Sequence, residues 1–360
     1  MIKRLDSIDA LRGLAVVFMV INHAGHYLTP SFTPAWAYYA IYLTVTLAAP
    51  LFLFLAGVSL ALSIRKEREN GQAGANLFLK YLKRGLALVG LGLLINIFFY
   101  FNEPLWRGRV LMAIGLSIII AYPFYSLMLD RSKRLMLLAA SICGLMVFPL
   151  IYPALQSAAE HNKIIADIFL SEFPIYPWFL LVLIGMICAR EFILPGEIQT
   201  VIRKRILNAG ALLLISWLAL SLAINGADIL SFVNDYNLNG YWNPSPLTWL
   251  WIFGWLVILA IVFYGLENNL LRNMLRSTRP AKGLGDCLAL MGRNALLLYF
   301  LQFFLIITIG QKLLKLQIYD IVPFVLVNSI IIIILCVSAT YKKSVRSIIS
   351  DRLGPKARIS

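Results

Sequence analysis

The amino-acid sequence predicts an all-α fold: a polytopic transmembrane helical bundle of about ten spans, with both termini in the cytoplasm. Three observations predict it. Apolar residues make up 60% of the 360 positions and the mean hydropathy is +0.81, whereas a soluble domain carries about 45–50% apolar residues. These residues gather in runs of around twenty, enough to cross the ~30 Å hydrocarbon core of a bilayer. Positive charge concentrates in alternate connections, as the positive-inside rule requires. The dyad alternation of a membrane β-barrel is missing.

The spans are expected at about 10–28, 41–64, 82–102, 109–129, 135–155, 175–194, 206–225, 247–266, 290–311 and 321–341. With the N-terminus inside, 27 of the 32 Lys and Arg face the cytoplasm, and Arg107, Arg109, Lys163, Lys312 and Lys315 lie outside. That asymmetry sets the orientation. It also accounts for the net charge of +15 without nucleic acid, since no Lys/Arg stripe interleaves with aromatics on a soluble segment. Residues 1–360 read as one integral-membrane domain in a bacterial inner (plasma) membrane, with the bilayer itself as a partner.

The first span, within SIDALRGLAVVFMVINHAGHYL, is polar where a lipid-facing helix is not. It reads as a retained helix, because no small-residue cleavage site follows its apolar run. Arg12 and His23 are separated by ten mostly apolar residues. Eleven steps of roughly 100° return His23 to within about 20° of Arg12, about 16 Å further along the axis. An arginine at the bilayer centre costs about 2.5–3.5 kcal/mol on insertion scales, so it demands a partner or a task. Asp9, three residues earlier on the same face, is the expected partner. Asn22, His23 and His26 can share one cavity in the outer leaflet, and imidazole titrates in the range suited to a general base.

In the second span, Pro50 interrupts the helix and Gly57 permits close packing. The third opens with Lys83 and Arg84 at the inner surface. Arg84 reads either as a snorkelling anchor or as a contact for a phosphate-bearing ligand. Asn96 is expected to form a helix–helix hydrogen bond. Two long outer connections, 156–174 with Glu160, His161, Asp167 and Glu172, and 226–246 with Asp228 and Asp235, carry aromatics, amides and carboxylates. Such loops suit either sugar binding or an ordinary membrane interface. The basic inner connection 267–289 is expected to hold a short surface helix. In the ninth span, Arg293 and Asn294 precede Tyr299 and Gln302, which either line a cavity or pack. Cys143, Cys188, Cys287 and Cys336 are scattered without a CxxC and read as free thiols. Three histidines without ligand spacing predict no metal site.

At this point the motifs resemble a family. SIDALRGLAVVFMVINHAGH resembles the first-helix signature of transmembrane acyltransferases, the acyltransferase-3 proteins and the heparan-α-glucosaminide N-acetyltransferase-like proteins. AAPLFLFLAGVSLAL, KRGLALVGLGLLIN and GRVLMAIGLSIIIAY are similar to the second, third and fourth helices of the latter branch, and MGRNALLLYFLQ to its late motif. Arg12 and His23 match the Arg-x10-His pair of the acyltransferase-3 branch, and Asn22 matches the asparagine of the other. Where that second branch carries its histidine this chain has Thr33, so His23 and His26 both remain candidates for the base. Met112 and Ala113 replace a glutamine–arginine pair often seen in the fourth helix, and Gln302 stands where many relatives carry histidine.

The resemblance implies transfer of an acetyl (acyl) group from cytoplasmic acyl-CoA, here acetyl-CoA as co-substrate, to a hydroxyl or amine of a sugar or glycan acceptor. The expected catalytic residues are His23 or His26, with Asn22 at the oxyanion and Asp9 holding Arg12. Lys83, Arg84, Asn294 and Tyr299 are the expected donor contacts. A homodimer is an allowed assembly. The rival readings are a transporter or flippase on a degenerate acyltransferase scaffold, and a membrane scaffold or sensor without turnover.

Overall fold

A computed structural model describes residues 6–29, 34, 37, 41, 43–162, 170–171, 173–193, 200–225, 245–267 and 279–353. The protein is all-α and polytopic, with no strand among the described residues. Its helices are α1 (Asp6–Leu28), α2 (Ala48–Glu69), α3 (Gly74–Phe99), α4 (Val110–Ala121), α5 (Phe124–Leu127), α6 (Arg131–His161), α7 (Ile175–Cys188), α8 (Thr200–Asn225), α9 (Pro246–Glu267), α10 (Arg279–Arg293), α11 (Ala295–Phe303) and α12 (Ile321–Leu353). Wide π-helical turns extend α7 through Ala189–Ile193 and α11 through Phe304–Leu313. An apolar helix occupies each of the ten predicted spans, and eight are long and apolar enough to cross a membrane.

The fourth span differs from its expected extent. It is a helix of 12 residues, because Pro123 has no N–H to continue the ladder of i→i−4 hydrogen bonds. The chain turns there and resumes as the four-residue α5. Pro50 falls in the first turn of α2, just after a turn at Thr46 and Leu47, where its missing N–H leaves no helix bond unmade. At the start of α6 the Asp130 carboxylate accepts from the Lys133 backbone N–H at 2.9 Å, a side-chain N-cap.

The chain divides into two compact units. One contains Ala49–Val262 and the other is Leu5–Ala48 together with Phe263–Ser360. In the first, α7 packs against α4 and α6, and α4 packs against α3. Gly57 of α2 and Gly185 of α7 let these two helices touch backbone to backbone. A Cβ at Gly57 would lie 2.0 Å from the Val182 carbonyl oxygen, and one at Gly185 would lie 2.1 Å from that of Phe54. Small residues at such crossings are the usual adhesive of membrane helices. Burial separates core from lipid-facing helices: 67% and 61% of the spanning windows of α2 and α7 are buried, against 22% for α3 and 17% for α6 and α8. The outward faces of α3 and α6 carry Leu86, Phe98, Met136 and Leu150.

Two arginines that read as surface charge are buried in this unit. Arg109 donates to Asn96 at 3.2 Å, pairs with Glu103 and lies 3.6 Å from the centre of the Tyr100 ring. Asn96 in turn donates to the carbonyls of Leu105 and Arg107 at 2.7 and 3.0 Å. Its expected helix–helix bond is therefore replaced by bonds that brace the α3–α4 connection, whose irregular backbone offers unpaired carbonyls that a neighbouring helix does not. Arg134 donates to the Met128 carbonyl at 2.8 Å and pairs with Glu191 in the π-turn after α7.

In the second unit α1 packs chiefly on α10, the helix expected at the surface of the 267–289 connection. Only its location was anticipated. Gly13 and Gly292 bring the two backbones together: a Cβ at Gly13 would lie 1.9 Å from the Leu288 carbonyl oxygen, and one at Gly292 would lie 1.7 Å from that of Asp9. The turn after α11 returns to α1, where the Ile318 N–H donates to the Leu28 carbonyl at 2.8 Å. The expectation of four free thiols is corrected here. Cys287 of α10 and Cys336 of α12 are disulfide-linked, their Cα atoms 6.7 Å apart, while Cys143 and Cys188 are free. A separation of 49 residues carries no local signal, and the pair arises because α10 and α12 are neighbours.

Gly292→Ala is expected to lower stability by about 3 kcal/mol or more, because overpacking here meets backbone that no rotamer change relieves. Gly90→Ala, where an added Cβ meets nothing within 4 Å, is expected to be neutral or to gain up to about 1 kcal/mol. Thermal unfolding of the two variants in detergent checks the contrast.

Candidate active site

The polar face predicted for α1 exists, and its two ends are held by different partners. At the N-terminal end Asp9 is 3% exposed. Its Oδ1 accepts from Arg12 at 2.8 Å, the predicted pairing, and its Oδ2 accepts from Arg293 at 3.3 Å. Arg293 also pairs with Asp6. The crossing of α1 with α10 causes this arrangement: Gly292 touches the backbone of Asp9, so the next residue of α10 reaches the carboxylate. Two guanidiniums on one carboxylate compensate its burial. Arg293 as a partner of Asp9 was not anticipated, because the residues are 284 positions apart.

At the other end His23 is half-buried. Its Nδ1 lies 3.0 Å from Oε1 of Gln302 on α11. An amide oxygen only accepts, so in this contact Nδ1 is the donor. Aromatic rings fix the imidazole further: Phe303 lies 4.7 Å away centre to centre and Tyr27 6.1 Å, while Tyr299 packs on Phe303 at 5.1 Å. Gln302 is fully buried, and its Nε2 has no hydrogen-bond partner among the described residues. Leaving such a donor unmade costs about 1–3 kcal/mol. Gln302 was read from sequence as lining or packing. The structure makes it the side chain that orients His23.

The other candidates separate. Asn22 is half-buried beside His23 on α1, and His26 is exposed with its ring edge-on to Tyr27 at 4.7 Å. Tyr299 is buried one turn before Gln302. Asn294 donates to the Leu290 carbonyl at 3.0 Å, at the break between α10 and α11. Lys83 and Arg84 belong to the first unit, both exposed on α3. Arg84 approaches the Ser63 hydroxyl at 3.5 Å and the Tyr81 ring at 5.8 Å, while nearby Lys80 and Arg65 pair with Glu67 and Glu69. Met112 and Ala113 are buried in α4. Of the outer-loop candidates, Glu160 and His161 end α6, with His161 bonded to the Ser157 carbonyl at 3.1 Å. Thr33, Asp167, Glu172, Asp228 and Asp235 lie outside the described residues.

The family model of the heparan-alpha-glucosaminide N-acetyltransferase catalytic domain matches residues 4–224, more than half of the chain. The protein belongs to that family. The match to the heparan-alpha-glucosaminide N-acetyltransferase domain runs from α1 through α8, so it includes Asp9, Arg12, Asn22 and His23 and stops short of Arg293 and Gln302. No curated protein matches the chain in a sequence comparison.

Asp9→Ala leaves Arg12 and Arg293 without their buried carboxylate and is expected to lower stability by about 2–4 kcal/mol. Asp6→Ala, at a side chain 66% exposed, is expected to change it by about 1 kcal/mol or less. Denaturation of both variants in matched detergent tests this order.

Proposed function

We propose that the protein is a membrane acetyltransferase that moves an acetyl group from acetyl-CoA to a hydroxyl or amine of a sugar or glycan. The observation that carries the reading is a half-buried histidine on the first helix of this family's domain, held through Nδ1 by Gln302. In this reading His23 takes the proton from the acceptor as general base. Asn22, its neighbour, donates to the oxygen of the tetrahedral intermediate. Asp9, which also pairs with Arg293, holds Arg12, which steadies the helix or meets the donor. His26 is the less favoured candidate, because among the described residues its ring has an aromatic neighbour, Tyr27, and no polar partner comparable to Gln302.

The donor enters from the cytoplasm, on the side where the sequence concentrates Lys and Arg, and both termini lie there. Arg84 is the preferred phosphate contact, with Lys83 beside it. Among the described residues its contacts are neutral, a hydroxyl and a ring, so its charge is available to an anion. Tyr299 belongs to the wall behind His23, and Asn294 serves the helix break rather than the donor.

Incubation of the purified protein with labelled acetyl-CoA and a panel of amino sugars and glycans tests the proposal. Transfer is expected, with His23→Ala reducing it by about 10²–10⁴-fold and His26→Ala retaining most of it. Full activity in His23→Ala moves the base to another group. An absence of acetyl-CoA binding and turnover overturns the enzyme and favours transport on the same scaffold.

A further inference from the structure

Gln302 has an oxygen with a clear task and a nitrogen without one. Its Oε1 accepts from His23 Nδ1 at 3.0 Å, while its Nε2 is buried and unpartnered. Buried polar groups are nearly always paired, and an orphan calls for a physical reason. Among the described residues no acceptor is within hydrogen-bond reach of the amide nitrogen. The nitrogen shares the planar carboxamide with the oxygen that holds His23, so its N–H groups lie immediately beside the imidazole. We infer that Gln302 is a catalytic residue with two tasks: its oxygen holds His23 in the Nδ1–H tautomer, and its amide N–H donates to the acyl oxygen of the bound acetyl thioester as that oxygen becomes negative.

The inference rests on the acetyl-transfer reading above. His23 Nε2 accepts the proton of the acceptor hydroxyl or amine, whose lone pair attacks the thioester carbonyl carbon. The carbonyl π electrons move to oxygen, which receives the Gln302 N–H and the Asn22 amide. Collapse re-forms the carbonyl, breaks the carbon–sulfur bond and expels the CoA thiolate, which takes the proton from the imidazolium. The products are the acetyl ester or amide and free CoA. Proton, charge and acyl group all balance between one thioester and one acceptor. A donor that is unpaired before the reaction and paired in the transition state is an arrangement that favours rate over ground-state binding.

Q302E separates the two tasks, because a carboxylate still accepts from Nδ1–H but has no N–H to give. With acetyl-CoA and glucosamine as probes, kcat in Q302E at its pH plateau is expected to fall by about 10²–10³-fold, with KM for acetyl-CoA unchanged. Q302M, an apolar side chain of similar size, carries the test where the buried carboxylate prevents folding. It is expected to lose kcat at least as far, with its thermal unfolding unchanged. A Q302E plateau or a folded Q302M with wild-type kcat overturns the role of Gln302 and leaves the enzyme reading standing. Wild-type protein without any turnover overturns both.

Discussion

The second unit depends on the contact between the backbones of α1 and α10. Gly13 and Gly292 remove the side chains that would hold the helices apart, and carbonyl oxygens of each helix occupy that space. The consequence is electrostatic as well as steric. Arg293 follows Gly292 directly and is delivered to the Asp9 carboxylate, which already holds Arg12. An isolated carboxylate or guanidinium at this depth would be expensive to desolvate. The crossing supplies each with its partner, and a separation too large for these bonds would leave the charges uncompensated.

The same crossing sets the stage for His23. α11 follows α10 after a break at Asn294, so the placement of α10 against α1 governs where Gln302 arrives. Gln302 then sets which imidazole nitrogen faces its amide oxygen. In the acetyl transfer proposed for the protein, that choice decides whether the ring is a base or a donor toward the substrate. A polar knot at one end of α1 and an oriented histidine at the other are two products of one packing arrangement.

Charge has a second structural use in the other unit. Arg109 and Arg134 lie in stretches that the charge count assigns to opposite membrane faces, yet both are buried and both brace irregular backbone: the α3–α4 connection, and the π-turn after α7. A guanidinium suits this work because its five donors can serve carbonyls, carboxylates and an aromatic face together. The exposed Arg84, whose described contacts are neutral, stands apart from these braces.

Hydrophobic runs determined the helices and their positions by themselves, because a bilayer forces every backbone group in a span into intrahelical bonds. The i,i+3 spacing likewise determined the Asp9–Arg12 pair, and the eleven-residue spacing put Arg12 and His23 on one face. These are local consequences of helical geometry. The partners that arrive from far along the chain were decided by tertiary structure alone: Arg293 on Asp9, Gln302 on His23, Cys287 with Cys336, and Arg134 with Glu191. Helical periodicity says which face a residue occupies and is silent about which helix will cover that face. Here small residues at the crossings make that choice, through backbone approaches that become visible only when both helices are in place.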